Sequence, residues 1–421
     1  MLGANRAPRR SFLSTEAACE CSRRKVRLLG ESTESRVEEE QLRSGAKVLA
    51  LLTALAMTGA AACGSSDDKG DTGAAQGTAT AASAPAWLTQ AESAAAEAVK
   101  IPDTVPSNDL GPFDPPKGKT IYHVACNLAL EGCSKIANAI QSGTEALGYK
   151  FEKCDGGTTA DKIGACFNNA INAKPDAIVV NGIGVDAAGD GYAAAEKAGI
   201  PVIGTFTGNP EGATGVKTEV AGDACTKEGT ALADWIIADS KGKANALFVG
   251  TKTFTCNIQR QQSFLDEMKK CETCKTDTLE FAIDAIQSGL PQQLQSALQT
   301  KPDVTYIVGT FDAVALAATD AIRQAGKSDA IKVAGFDADA PNLELIKKGD
   351  IQVADITTGS TEPGWAAADA AGRAIAGNDL PPTVSTSQLL ITKDNIDQLQ
   401  GSTYVGANGF EDQFKKLWGM G

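Results

Sequence analysis

Two aspartates, Asp312 and Asp337, each close an apolar stretch of the chain and could present carboxylates as hydrogen-bond acceptors. They lie in KPDVTYIVGTFDAVALAATDAIRQAGKSDAIKVAGFD, residues 301–337. VTYIVG is an unbroken apolar, β-branched run, the pattern of a strand buried on both faces. AVALAATDAIRQAG favours helix and closes on Gly326, a residue suited to the position after a helix end. IKVAGFD reads as a second strand. Strand, helix and strand at this spacing predict a parallel pair with a right-handed crossover. Asp312 and Asp337 then sit just past the carboxyl ends of their strands, the edge where open α/β sheets bind ligands. A carboxylate offers several acceptor sites, which suits a ligand rich in hydroxyls. The same residues would also serve as caps for the helices that follow them, and Thr310 shares the Asp312 loop.

Other chemistry is sparse. His123 is the single histidine, which removes most routes to histidine catalysis or histidine-rich metal sites. Cys271-Glu-Thr-Cys274 is a CxxC, but zinc or redox use would call for a second CxxC or a nearby histidine. No nucleophile–base pair or metal cluster stands out. The expectation is a binding protein, not an enzyme, without cofactor or metal. A net charge of −13 repels phosphate backbones and argues against nucleic acid.

The 421 residues suffice for two ordinary lobes and a tail. Residues 1–41 are polar and rich in arginine. The stretch RSGAKVLALLTALAMTGAAACGSSDD then supplies two basic residues, a short apolar core and small residues leading to Cys63. It resembles a bacterial lipoprotein signal, with Ala60 where leucine is usual. The expectation is a signal peptide over 42–62, lipidation of Cys63, and an untranslated or leader segment over 1–41 with the start at Val37 or Leu42. Residues 63–116 read as the lipidated cysteine, a flexible tether and a short helix near 86–100. From KTIYHVAC onward strands and helices alternate, and PDAIVVNG echoes PDVTYIVG, which predicts two lobes on one plan.

The 301–337 segment is also specific enough to compare with a family. Its order of PD, apolar strand, Asp-x-x-Ala helix, Ala-Gly and Gly-Phe-Asp resembles type I periplasmic sugar-binding proteins, the ribose- and galactose-binding group. The resemblance extends over roughly 117–399. It implies an α/β fold of two Rossmann-like lobes joined by crossing hinge strands. The first lobe would take 117–222 with 359–387, the second 223–358 with 388–421. It also implies an extracytoplasmic, lipid-anchored monomer that hands a small molecule to ABC permease subunits. A sensory receptor of the same fold, or a binder of a non-sugar molecule, is the alternative. The related lactose-repressor type needs an N-terminal DNA-binding unit, where this chain has a signal and tether.

By the same resemblance, the ligand residues would be Phe206, Asp223, Arg260, Thr310, Asp312, Asp337 and Thr358. Arg260 matches an arginine whose guanidinium is a rigid fork of donors. Thr358 stands where ribose binders carry glutamine, and Asp223 lies at a hinge, where it could touch ligand or only brace. The family's paired aromatics after the first strand are missing from NLALEGCSK, and Phe206-Thr207 replaces an Asp-Arg pair. Phe206, Phe254, Phe311 and Trp365 are the aromatics available for stacking, Phe206 foremost. The eight cysteines after Cys63 are read as disulfide staples in an exported protein. The inferred fold brings together Cys126 with Cys133, Cys154 with Cys166, Cys225 with Cys256, and Cys271 with Cys274.

Overall fold

The computed structural model describes residues 84–421. The expected leader, signal peptide, lipidated Cys63 and tether as far as residue 83 lie outside the described residues.

Two six-stranded sheets wind in the same way. The first contains β1 (Thr120–Ala125), β2 (Lys150–Asp155), β3 (Ala177–Asn181), β4 (Val202–Thr205), β5 (Thr218–Val220) and, much later, β11 (Thr383–Val384). Its order is β11-β5-β4-β3-β1-β2, all parallel. The second contains β6 (Asn245–Gly250), β7 (Lys275–Glu280), β8 (Tyr306–Gly309), β9 (Lys332–Phe336), β10 (Gln352–Thr357) and β12 (Leu389–Thr392). Its order is β12-β10-β9-β8-β6-β7, with only β12 antiparallel. In each sheet the winding reverses beside its first strand, β1 or β6. That reversal opens a crevice at the carboxyl ends.

Helices cover both faces. α2 (Glu131–Ala146), α3 (Ala160–Ala173), α4 (Val185–Lys197) and α10 (Glu362–Ala376) flank the first sheet. α5 (Ala224–Asp239), α6 (Thr255–Met268), α7 (Leu290–Thr300), α8 (Asp312–Gln324) and α9 (Ala340–Lys348) flank the second. Burial on both faces is why AIVVN of β3 and YIVG of β8 are apolar without alternation, and every residue of both is buried. Helix α8 ends as its sequence requires, with Gly326 at φ +65°. Helices α2 and α10 press together at Gly364, where a β-carbon would stand 2.5 Å from the Ile140 nitrogen.

The chain passes between the sheets at 221–223, 358–361 and 385–388. Glu362 braces the last of these segments and the chain ahead of the C-terminal helix from a fully buried position. Its Oε1 accepts from the Ser387 amide at 2.9 Å and its Oε2 from the Ala407 amide at 2.7 Å.

The helix read near 86–100 is present, and the sequence left open whether it packs on the body; residues 84–116 do pack there. Helix α1 (Ala86–Ala98) packs on α5, with Ala91 in the second-lobe core. The Val99 carbonyl accepts from Asn395 Nδ2, and the Pro102 carbonyl from the Asn408 amide. Val105 and Phe113 are then buried in the first-lobe core. This segment is a strap across both lobes. The reading that gives all of 388–421 to the second lobe needs correction. β12 does belong there, but α11 (Phe410–Leu417) and Trp418 pack into the first-lobe core, where Trp418 stacks on Trp365 at 5.5 Å. The reason is apolar area: Phe410, Phe414, Leu417 and Trp418 bury theirs against α10 and the turn at 106–110.

Candidate functional site

The carboxyl ends of both sheets meet across a cleft. From the first lobe, the loop after β4 begins at Phe206, half-buried, with φ +52°. A non-glycine residue held there costs ~1–3 kcal/mol and marks a loop fixed by its surroundings. The fixing group is Glu219 on β5. Thr207 Oγ1 donates to it at 2.7 Å and Asn209 Nδ2 at 2.9 Å. Burial pushes the Glu219 carboxyl up to about 7, against the pull of those donors. Glycine is required at 204, because a β-carbon there would overlap the Glu219 carboxylate.

From the second lobe comes an ion network around Arg260, on α6. Its Nε donates to Glu228 Oε2 at 2.8 Å, one terminal nitrogen to the Thr310 carbonyl at 3.2 Å, and the other to Asp337 Oδ1 at 2.7 Å. The guanidinium lies 4.8 Å above the Phe336 ring. Burial works against the Arg260 charge, and Asp337 and Glu228 more than offset it, so its pKa is raised. Glu228 is fully buried; burial raises its pKa and the Arg260 charge pulls it back. The Asp337 side chain is 42% exposed while Arg260 and Glu228 are sealed beneath it. Asp337 is thus a carboxylate presented to the cleft on a buried cationic support. Its oxygens can accept from hydroxyls, and Arg260 holds it oriented.

The lobes touch across this cleft. Lys135 on α2 pairs with Asp339 beyond β9 at 2.5 Å. At Gly208, a β-carbon would meet Thr255 Cβ at 3.0 Å and Gln259 Nε2 at 3.4 Å, so the β4 loop lies against α6.

The sequence-predicted residues divide into groups. Arg260, Asp337 and Thr310 come together, Thr310 through its carbonyl. Thr358 follows β10 and is buried. Phe206 stands on the facing loop. Asp223 begins α5 and braces the hinge: it accepts from Ser385 Oγ at 2.8 Å and pairs with Lys227. Asp312 corrects the expectation. It is 1% exposed, behind the Asp337 turn, and its Oδ2 accepts from the Asp339 amide. Ending a strand placed it near the cleft, but its side chain points into the lobe. Trp365 is core. Glu228, Glu219, Asp355, Lys135 and Asp339 were not singled out by sequence. Asp355 had a signal, a charge inside the apolar strand QVADIT. Glu228 also had one, standing one helical turn after Cys225.

Among the described residues four disulfides form: Cys126–Cys133, Cys154–Cys166, Cys225–Cys256 and Cys271–Cys274. Two border the cleft. Cys126–Cys133 closes the loop after β1, which holds no aromatic residue. Cys225–Cys256 joins the first turns of α5 and α6, the helices of Glu228 and Arg260. Neither helix has a side-chain N-cap, so the bridge holds both starts. Cys225, Glu228 and Cys256 bring donor atoms within 4.8 Å of one another, but sulfurs bonded to each other are not metal-ligating thiolates. His123 is buried and pushed down to about 4, mainly by that burial, and contacts the Val179 carbonyl. It takes no part in the cleft. Replacing both Cys126 and Cys133 with serine is expected to lower stability by ~2 kcal/mol, since their separation is only 7 residues. Urea unfolding would show it as a shifted midpoint; an unmoved midpoint would count against the bridge as a constraint.

A family model described as "Periplasmic binding protein domain" matches residues 128–379. No curated protein matches the chain. Solved structures do. An ABC sugar transporter subunit from Rhodobacter sphaeroides is 23% identical, with a TM-score of 0.60 over 66% of this chain and 99% of its own. A periplasmic ribose ABC transporter protein from Conexibacter woesei is 20% identical, TM-score 0.60, over 68% and 95%. An ABC transporter solute-binding protein from Bacillus halodurans with bound myo-inositol is 20% identical, TM-score 0.59, over 67% and 98%. These likenesses concern the fold.

Proposed function

The chain belongs to the periplasmic binding protein domain family, and from that membership we propose that it captures a small polyhydroxylated molecule, a sugar or polyol, between its lobes for an ABC permease. The observation that carries the ligand class is Asp337, a half-open carboxylate fixed by buried Arg260 at the mouth of the cleft. Phe206, on the opposite loop, offers the apolar face that sugar rings stack on. The fold neighbours named for sugar, ribose and inositol agree with this choice of class. No chemistry is assigned to the cleft: it needs only to close on its ligand and open again. The same reading makes the protein a monomer outside the cytoplasm, tied to the membrane by lipid on Cys63. Mass spectrometry of the N-terminal peptide tests that attachment, and an unmodified or uncleaved Cys63 would remove the anchor from the reading.

The test of ligand class is a thermal-shift panel on the purified full chain, with monosaccharides, polyols, amino acids, nucleosides and aromatic acids. A ligand at 100 times its dissociation constant stabilises the protein by ~2.7 kcal/mol. A shift with one sugar or polyol, lost in Asp337→Ala, is the expected result. A shift confined to amino acids or aromatic acids would move the substrate class. No shift, together with no small molecule released on denaturation, would defeat the reading.

A further inference from the structure

Behind the Asp337 turn lie two carboxyl groups that face no solvent. Asp312 starts α8 and Asp355 lies in β10; they are 1% and 0% exposed. Each accepts a backbone N–H of the turn. The Asp339 amide donates to Asp312 Oδ2 at 2.5 Å, and the Ala338 amide to Asp355 Oδ1 at 3.0 Å. Those amides belong to the strained stretch, where Asp337 has φ +98° and Ala338 φ +54°. The two carboxyls therefore hold the piece of backbone that aims Asp337 at Arg260. Gly335 leaves room for them: a β-carbon there would stand 2.8 Å from Asp312 Oδ1 and 2.9 Å from Asp355 Oδ2.

Two ionised carboxylates are strongly disfavoured in such a dry site, and the hydrogen bonds leave one oxygen free to carry a proton. Both oxygens of Asp355 already accept, Oδ1 from Ala338 and Oδ2 from Gln352 Nε2 at 2.8 Å. Asp312 Oδ2 accepts from Asp339, and Asp312 Oδ1 has no donor. A proton on Asp312 Oδ1 donates to Asp355 and leaves every atom satisfied.

We propose that Asp312 and Asp355 are positioning residues of the ligand site: Asp312 carries a proton shared with Asp355, and this acid pair fixes the Asp337–Asp339 turn, so that affinity for the solute falls when rising pH removes the proton. Burial first, then the Asp355 charge, pushes the Asp312 pKa well up; burial also raises Asp355, against the bonds from Asp312 and Ala338. The charged groups around the pair are Asp337 and Asp339 on the turn, which oppose ionisation further. Arg260 from α6 reaches Asp337, and Lys135 from α2 reaches Asp339. From α9, neutral Asn342 donates to the Asp312 carbonyl and to Gln352. The sign follows. The folded protein keeps a proton that the unfolded chain has lost, so stability declines as pH climbs from the ordinary aspartate value of 3.8 towards the raised folded value.

The affinity consequence rests on the solute-binding reading; the pair itself is tested without ligand. In isotope-labelled full-length protein, the backbone amide resonances of Ala338 and Asp339 are followed from about pH 5 to about pH 9. In the wild type the two should move together with one midpoint. In Asp312→Asn neither should move, because a carboxamide donates to Asp355 and accepts from Asp339 with no proton to lose. Asp355→Asn should fold poorly, since its nitrogen would face Gln352 Nε2. Wild-type amides that do not titrate together would overturn the proposal. So would an Asp312→Asn protein that still titrates or does not fold. With D-ribose and myo-inositol as probes, the dissociation constant of the one that binds should rise about tenfold over this range in the wild type and stay level in Asp312→Asn. If neither sugar binds, the solute reading is weakened while the amide result still decides the pair.

Discussion

Arg260→Ala is expected to lower the unfolding free energy by about 3–5 kcal/mol and to abolish solute binding. The size comes from what the substitution leaves behind. Glu228 is fully buried, its Oε1 is already without a hydrogen bond, and its Oε2 would lose the Arg260 Nε donor. The Thr310 carbonyl loses its donor, and Asp337 loses the group that orients it. An uncompensated buried charge costs more than the pair ever contributed. Arg260→Lys should fall between the wild type and alanine, because an ammonium cannot reach three acceptors as the guanidinium fork does. The double variant Arg260→Met, Glu228→Gln removes both charges and should be more stable than Arg260→Ala, though equally unable to bind. Urea unfolding with the sugar panel separates these effects. An Arg260→Ala protein within about 1 kcal/mol of the wild type would show that Glu228 is not charged in the fold.

That network also shows how far the sequence can be read. Buried parallel strands announce themselves, as PDAIVVNG and PDVTYIVG do, because both faces must be apolar. Arg260 and Asp337 were each read as ligand residues from family-like motifs, Asp337 at a strand end, but nothing in the sequence joined the two. Asp312 satisfied the same positional argument and is not in the cleft. A strand end fixes where the backbone lies, whereas the left-handed turn at Asp337 and Ala338 decides which amides need carboxylates behind them. That turn has no local signature, since neither residue is glycine. Glu219 is similar: its partners Thr207 and Asn209 become neighbours only when β4 and β5 pair. The C-terminal helix was legible in part. Phe410, Phe414 and Leu417 fall at helical spacing, but nothing in that spacing says which lobe receives them.

The strap that spans both lobes depends most on Arg373, and Arg373→Leu is expected to cost about 3–5 kcal/mol. Its Nε bonds Asp369 Oδ2 at 2.8 Å, and its two terminal nitrogens bond the carbonyls of Leu110 and Gly111 at 3.2 and 2.7 Å. The guanidinium lies 4.5 Å over the Phe113 ring. Asp369, fully buried, would keep only the Trp418 Nε1 donor, at 2.8 Å. One side chain thus joins α10, the strap and α11. Leucine fills much of the volume, so the loss should come from the stranded carboxylate and the two bare carbonyls. Hydrogen exchange would localise it: amides over 105–113 and 410–418 should become labile together, while those of β6, β8 and β9 stay protected. Because the strap is anchored on α5 at its other end, releasing it should also let the lobes part more readily, seen as a larger radius of gyration without ligand. Faster exchange throughout both lobes would instead mean that Arg373 supports the whole fold and that the strap has no separate role in holding the lobes together.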